Sequence, residues 1–193
     1  TAHLDAFQAY EAAQKLTAFV EALSNWYVRR SRERFWAPGA GDAMSADKLA
    51  AYATLHRCLV DIAHLAAPFV PFFAEELFQS LVVAPKLPGA PVSVHLADYP
   101  HPRLEEIDQP LSVEMAAVRE IVSLGLAVRT AGKLKVRQPL HRADVVLSRA
   151  DQAARLTPHL SLIVDELNVH DVRFLATGQE GDEVRYKLKP NFR

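Results

Sequence analysis

From position 4 to position 35 the chain contains neither proline nor glycine. Within that run Leu16, Phe19, Val20, Leu23 and Tyr27 recur at three- and four-residue intervals, the spacing that lines one face of a helix with apolar side chains. A chain that starts this way opens on a long amphipathic helix, and its apolar stripe demands neighbours. Residues 37–43 then break the helix with Pro38, Gly39 and Gly41. Ser45 offers a cap and Asp47 an acidic first turn, which predicts a second helix running to about Ala66. Pro68 ends that helix. Pro71 suits a first helical turn, where its missing N–H is not needed, so residues 72–83 form a third helix with Phe73, Leu77 and Leu81 expected to face inward.

Six of the twelve prolines fall within residues 85–110, a poor helix and an expected irregular crossover in which residues 91–96 read as locally extended. Leu111, Met115, Val118, Val122 and Leu126 mark a fourth helix that starts near Pro110 and stops around Gly132. Beyond Gly132 the period changes. Leu134, Val136 and Leu140 alternate with charged residues, and residues 145–147, 169–174 and 184–188 also read as strands. One helix is expected between residues 150 and 167, broken at Pro158. The reading is therefore mainly α: an antiparallel helix bundle over residues 1–131, followed by a small α+β subdomain over residues 132–193.

Half of the 193 residues are apolar, enough for a sizeable core. The single cysteine, Cys58, excludes an internal disulfide and a multi-cysteine zinc site and favours reducing surroundings. No apolar run approaches the roughly 20 residues that a membrane span requires, and the first residues lack the pattern of a signal peptide, so a cytoplasmic protein without membrane contact is expected. Catalytic motifs are wanting. Asp61 with His64, and Glu75 with Glu76, make only a fragment of a bundle-housed metal site. Cys58 with His56 lacks the company a thiol nucleophile needs, and no phosphate-binding glycine loop or serine elbow occurs. With 22 basic against 23 acidic side chains, overall charge gives no support to nucleic-acid binding, and any such affinity rests on local clustering.

Two clusters exist. Residues 23–36 hold Arg29, Arg30, Arg32 and Arg34 together with both tryptophans, Trp26 and Trp36. Guanidinium groups are permanently charged forks that match phosphate and stack on planar rings. On a straight helix Asn25, Arg29 and Arg32 lie opposite the apolar stripe, whereas Arg30 and Arg34 continue it. Either all four reach solvent past the end of the bundle, or Arg30 and Arg34 pair with carboxylates such as Glu75 or Glu76. A straight helix would set Asn25 and Arg34 roughly 13 Å apart, enough to meet several phosphates along one strand. Tyr27 reads as core, Trp26 as packing, and Trp36 as a stacking platform for an unpaired base. Residues 121–143 form the second cluster, without an acidic side chain and with Arg129, Lys133, Lys135, Arg137 and Arg142. Strand alternation would place Lys133, Lys135 and Arg137 on one face. Solvated helix ends and guarded strand edges explain such charges as well as RNA does.

The motifs add a resemblance. Ser24-Asn25-Trp26-Tyr27-Val28-Arg29-Arg30-Ser31-Arg32, with Phe35-Trp36, closely resembles the anticodon-binding region of isoleucyl-tRNA synthetases. Ala67-Pro68-Phe69-Val70-Pro71-Phe72 with Glu75-Glu76-Leu77 looks like a helix junction shared by the isoleucyl, valyl and leucyl enzymes. Lys133-Leu134-Lys135-Val136-Arg137-Gln138-Pro139-Leu140 and Glu166-Leu167-Asn168-Val169 match blocks typical of the isoleucyl enzymes. The resemblance implies a bundle that holds the anticodon stem and loop of an isoleucine-accepting tRNA. It also implies a parent ligase that joins isoleucine to that tRNA at the expense of ATP. The class I catalytic motifs, His-x-Gly-His and Lys-Met-Ser-Lys-Ser, do not occur. The chain is thus expected to be a piece of the ligase continuing at both ends, not itself an enzyme, and to hold no cofactor. The residues expected on RNA are Asn25, Arg29, Arg30, Arg32, Arg34, Trp36, Lys133, Lys135 and Arg137. A valyl or leucyl enzyme's domain and a helical protein-interaction module remain as other readings.

Overall fold

The structure, a computed structural model, describes residues 2–38, 44–149, 151–176 and 178. Two compact units divide it, Thr1–Pro102 and Arg103–Arg193. The division falls in the proline-rich span, earlier than the boundary after residue 131 expected from the sequence. The helix before Gly132 packs on elements of the C-terminal unit and belongs with it.

In the N-terminal unit the helices are α1 (Ala2–Asp5), α2 (Ala9–Ala22), α3 (Arg32–Trp36), α4 (Ala46–Ala66) and α5 (Pro71–Phe78). The expected unbroken first helix is interrupted. Phe7 takes a left-handed backbone, φ 56°, which a bulky residue rarely adopts. Leu23–Val28 forms a π-helical segment in continuation of α2, a wider winding than the α-helix on which the face assignment rests. Ser31, buried, forms a turn before α3 and still donates its N–H to the Tyr27 carbonyl at 2.9 Å.

α4 starts as its sequence dictates: the Ser45 hydroxyl accepts the Lys48 N–H at 3.2 Å and Asp47 sits in the first turn. Ser45→Ala is expected to cost about 0.5–2 kcal/mol of stability, read from denaturant unfolding. Pro71 occupies the first turn of α5, and Gln79–Val83 extends that helix as a second π segment. Its inward face differs from the expected one by a residue. Ala74, Phe78 and Val82 are buried, while Phe73 is exposed and Leu77 and Leu81 pack at the margin. The reason lies across the interface: Ala63 and Ala66 of α4 leave room for one large ring, and Phe78 fills it with Ala74, Val82 and Val94 around it. Residues 91–96 form no strand; Val94–Leu96 is a 3-10 turn after an extended Ser93.

In the C-terminal unit α6 (Gln109–Ala131) begins at Asp108, whose carboxylate accepts the Leu111 N–H at 2.9 Å, and ends at Gly132. β1 (Leu140–Leu147), α7 (Asp151–Leu156), a 3-10 turn at Thr157–His159, α8 (Leu160–Leu167) and β2 (Val169–Ala176) follow, with the helix broken at Pro158 as expected. β1 and β2 pair in parallel, Leu140 opposite Val169 and Leu147 opposite Ala176. The helices between them supply the crossover that parallel strands require. Val118 and Val122 of α6, Leu156, Ile163 and Leu167 of the crossover, and Leu147, Val169 and Val172 of the strands are buried. Gly125 admits α8 closely, because a Cβ there would stand 2.5 Å from the Leu167 side chain. The strand expected through Lys133, Lys135 and Arg137 is absent. These residues form a turn, with Lys133 at φ 55°. The strand expected at residues 184–188 lies outside the described residues.

Candidate nucleic-acid interface

The arginine-rich segment is fastened to α4 on one side and open on the other. Tyr27, core-facing as expected, donates its hydroxyl to the Ala51 carbonyl at 3.0 Å. Phe35 stands between Tyr27 and Tyr52, with ring centroids 6.5 Å and 5.0 Å away. Lys48 Nζ donates to the Ala37 carbonyl at 3.0 Å. Arg34 makes a two-pronged bond to Asp47, Nε to Oδ2 at 2.8 Å and Nη2 to Oδ1 at 2.7 Å. The bond to Arg34 holds the Asp47 carboxyl below the usual range, and the bond to Asp47 raises Arg34 in turn. The pair is not buried, its side chains being 37% and 66% exposed. Its value is therefore orientation more than stability.

Glu75 and Glu76, suggested from the sequence as partners of Arg30 and Arg34, are not the partners of Arg34. Glu75 is occupied elsewhere: it accepts from Gln79 Nε2 at 2.7 Å, Ser93 Oγ at 2.8 Å and the Val94 N–H at 3.0 Å. Arg30 lies over the Trp26 ring, 5.5 Å from its centroid, a cation–π arrangement. Both residues are half-buried. Asn25, Arg29 and Arg32 are exposed, the face opposite the stripe. Arg29 Nε donates to the Asn25 carbonyl at 2.9 Å, which steers its fork along the helix. Trp36 is 79% exposed. The arginine-rich segment thus presents two exposed guanidinium groups, two more oriented by Asp47 and Trp26, and one open indole face.

The second cluster resolves differently from its sequence pattern. Arg129 is buried, 3% exposed, and gives its charge to backbone carbonyls instead of solvent. Arg142 pairs with Asp144 at 2.8 Å, and Arg173 reaches the same carboxylate at 2.8 Å. That leaves Lys133, Lys135 and Arg137, all exposed on the turn between α6 and β1 and without an ion pair among the described residues. Sequence reasoning misses the roles of Asp47 and Arg129. Asp47 reads only as an acidic first turn, and nothing in the spacing of Arg129 distinguishes it from its solvated neighbours.

Elsewhere the chemistry is sparse. His64 Nδ1 is 2.9 Å from the Val60 carbonyl and its ring stands edge-on to Phe78, which accounts for it as a packed side chain. Burial, helped by Asp61, pushes the Cys58 thiol up, away from the reactive thiolate. Among the described residues no three metal-ligating side chains converge, and no helix is long and apolar enough to cross a membrane.

Comparison with known proteins bears on the arginine-rich unit directly. A family model described as the anticodon-binding domain of tRNA ligase matches residues 1–147. The isoleucine–tRNA ligase of Deinococcus radiodurans is 44% identical over 99% of this chain and 16% of its own length. Those of Chlamydia trachomatis serovar D and Streptomyces coelicolor are each 44% identical, over 97% and 100% of this chain and 17% of their lengths. The chain therefore spans about a sixth of these relatives. The matched span takes in the whole N-terminal unit, α6, the basic turn and β1; on that match the chain belongs to the anticodon-binding domain family of tRNA ligases.

Proposed function

We propose that the chain is the anticodon-binding part of an isoleucine–tRNA ligase, which grips an isoleucine-accepting tRNA and orients it for ATP-dependent attachment of isoleucine by the rest of the ligase. The observation that carries this reading is the open face of the arginine-rich segment. Arg29 and Arg32 project from it, with Trp36 exposed at its end, and the relatives' names supply the amino acid. Arg29, Arg30, Arg32 and Arg34 meet phosphates of the stem or loop, Asn25 adds a directional hydrogen bond, and Trp36 stacks on an unpaired base. Lys133, Lys135 and Arg137 meet backbone phosphates from the turn of the C-terminal unit. The work of this part is binding in the cytoplasm, without a cofactor of its own; ATP belongs to the catalytic part of the ligase.

Replacing Arg29 and Arg32 together by alanine tests the reading. For every phosphate that a guanidinium no longer neutralises, the slope of log affinity against log salt is expected to shrink by about 0.7–0.9. Because both side chains are exposed, unfolding stability is expected to change by less than about 0.5 kcal/mol. Unaltered affinity for unfractionated tRNA sinks the assignment. Capture of tRNA on the immobilised chain, followed by identification of the retained species, tests isoleucine acceptance separately.

A further inference from the structure

The basic turn stands on a buried guanidinium. Arg129 Nη1 donates to the carbonyls of Lys135 at 3.1 Å and Gln138 at 3.0 Å. Its Nη2 donates to those of Leu167 at 2.6 Å and Asn168 at 2.9 Å. One side chain thus ties the turn to the junction of α8 and β2. Asn168 adds a second tie. It adopts φ 48°, and its Nδ2 donates to the Val136 carbonyl at 2.9 Å. The backbone closes the other end, with the Leu134 N–H on the Arg129 carbonyl at 2.8 Å and the Lys133 N–H on that of Thr130 at 3.1 Å.

Two consequences follow for the surface. The carbonyls of Lys135 and Gln138 are engaged by the buried Arg129 fork and that of Val136 by the half-buried Asn168 amide, so these negative dipole ends are already matched by donors. Lys133, Lys135 and Arg137 meanwhile repel one another within five residues, and a slack loop would spread them apart. Holding them in place beforehand removes an ordering cost from binding.

We propose that Arg129 is a positioning residue for polyanion binding, its buried fork fixing Lys133, Lys135 and Arg137 as one preset phosphate-gripping turn; this rests on the RNA-binding reading above. Lysine at 129 keeps the charge but cannot bridge four carbonyls with a planar fork. Glycine at 168 keeps the left-handed backbone and removes only the Val136 tie.

The test measures binding of unfractionated tRNA by the 193-residue chain. Arg129→Lys and Asn168→Gly are each introduced alone and in a background carrying Lys133→Ala, Lys135→Ala and Arg137→Ala. The triple replacement is expected to weaken binding and flatten its salt slope. Arg129→Lys and Asn168→Gly are each expected to weaken binding about fivefold in the native background and to add nothing in the triple one. Equal losses in both backgrounds, or no loss in the native background, overturn the proposal while leaving the RNA-binding reading intact. A triple replacement without effect takes this turn off the RNA and the proposal with it. Should Arg129→Lys unfold the unit, Asn168→Gly decides by the same criteria.

Discussion

Phe78→Ala is expected to lower the stability of the N-terminal unit by about 3–5 kcal/mol, seen as a large drop in its denaturant midpoint. Phe78 is 1% exposed and sits against Ala63, Ala66 and Ala74, with Val82 and Val94 beside it. His64 adds an edge-on ring at a centroid distance of 5.3 Å. The size of the effect follows from those alanines. A methyl group on a helix has no rotamer to offer, so on the side of those alanines the void persists unless whole helices move. Phe78→Leu refills most of the volume and is expected to cost far less. A midpoint for Phe78→Ala within experimental error of the parent would mean that α4 and α5 are not held together through this ring.

Acid is expected to weaken the fold through its carboxylates. Among the described residues four carboxyls are held below their ordinary range. Asp47 is held chiefly by Arg34, Glu75 by Gln79 and then Ser93, Glu114 by His159, and Asp144 by Arg173. Each binds its proton less readily folded than unfolded. The stability it contributes is therefore fully present above the unfolded-chain value, about 4 for such groups, and disappears as pH falls through the lower folded-state value. Denaturant midpoints are expected to hold from pH 7 to about 5 and then fall steadily toward pH 3. Glu75→Gln is expected to remove part of that acid dependence, since a neutral amide no longer gains or loses the proton. A midpoint independent of pH across the whole range would show that these bonds do not distinguish folded from unfolded chains.

How much of this was legible in the sequence depends on whether local chemistry decided the outcome. Caps and prolines act within one turn, so Ser45, Pro71, Pro110 and Pro158 placed helix boundaries that the structure repeats. Helical facing was less secure. It counts residues at a fixed angle, and the π segments at Leu23–Val28 and Gln79–Val83 alter that angle without a sequence mark. The strand expected after Gly132 failed for a tertiary reason. The alternation of Leu134 and Val136 with cations was real, but Arg129 and Asn168 engage the carbonyls of Lys135, Val136 and Gln138 in place of a ladder. At the candidate site, the residue types and the exposed face of Asn25, Arg29 and Arg32 were readable. The partner of Arg34 was not, because Asp47 lies on the far side of the break that separates two helices.

That break has a bearing on how the arginine-rich end tolerates change. Residues on either side of it are clasped directly: Arg34 to Asp47, the Ala37 carbonyl to Lys48, and the Phe35 ring to that of Tyr52. This clasp ties the two helix ends together directly. Residues inserted between positions 38 and 44 would lengthen a connection whose flanking helices are already tied, at an entropy cost that grows only with the logarithm of its length. The orientation of the arginine-rich end is in this sense insulated from changes in the length of chain between the two helices.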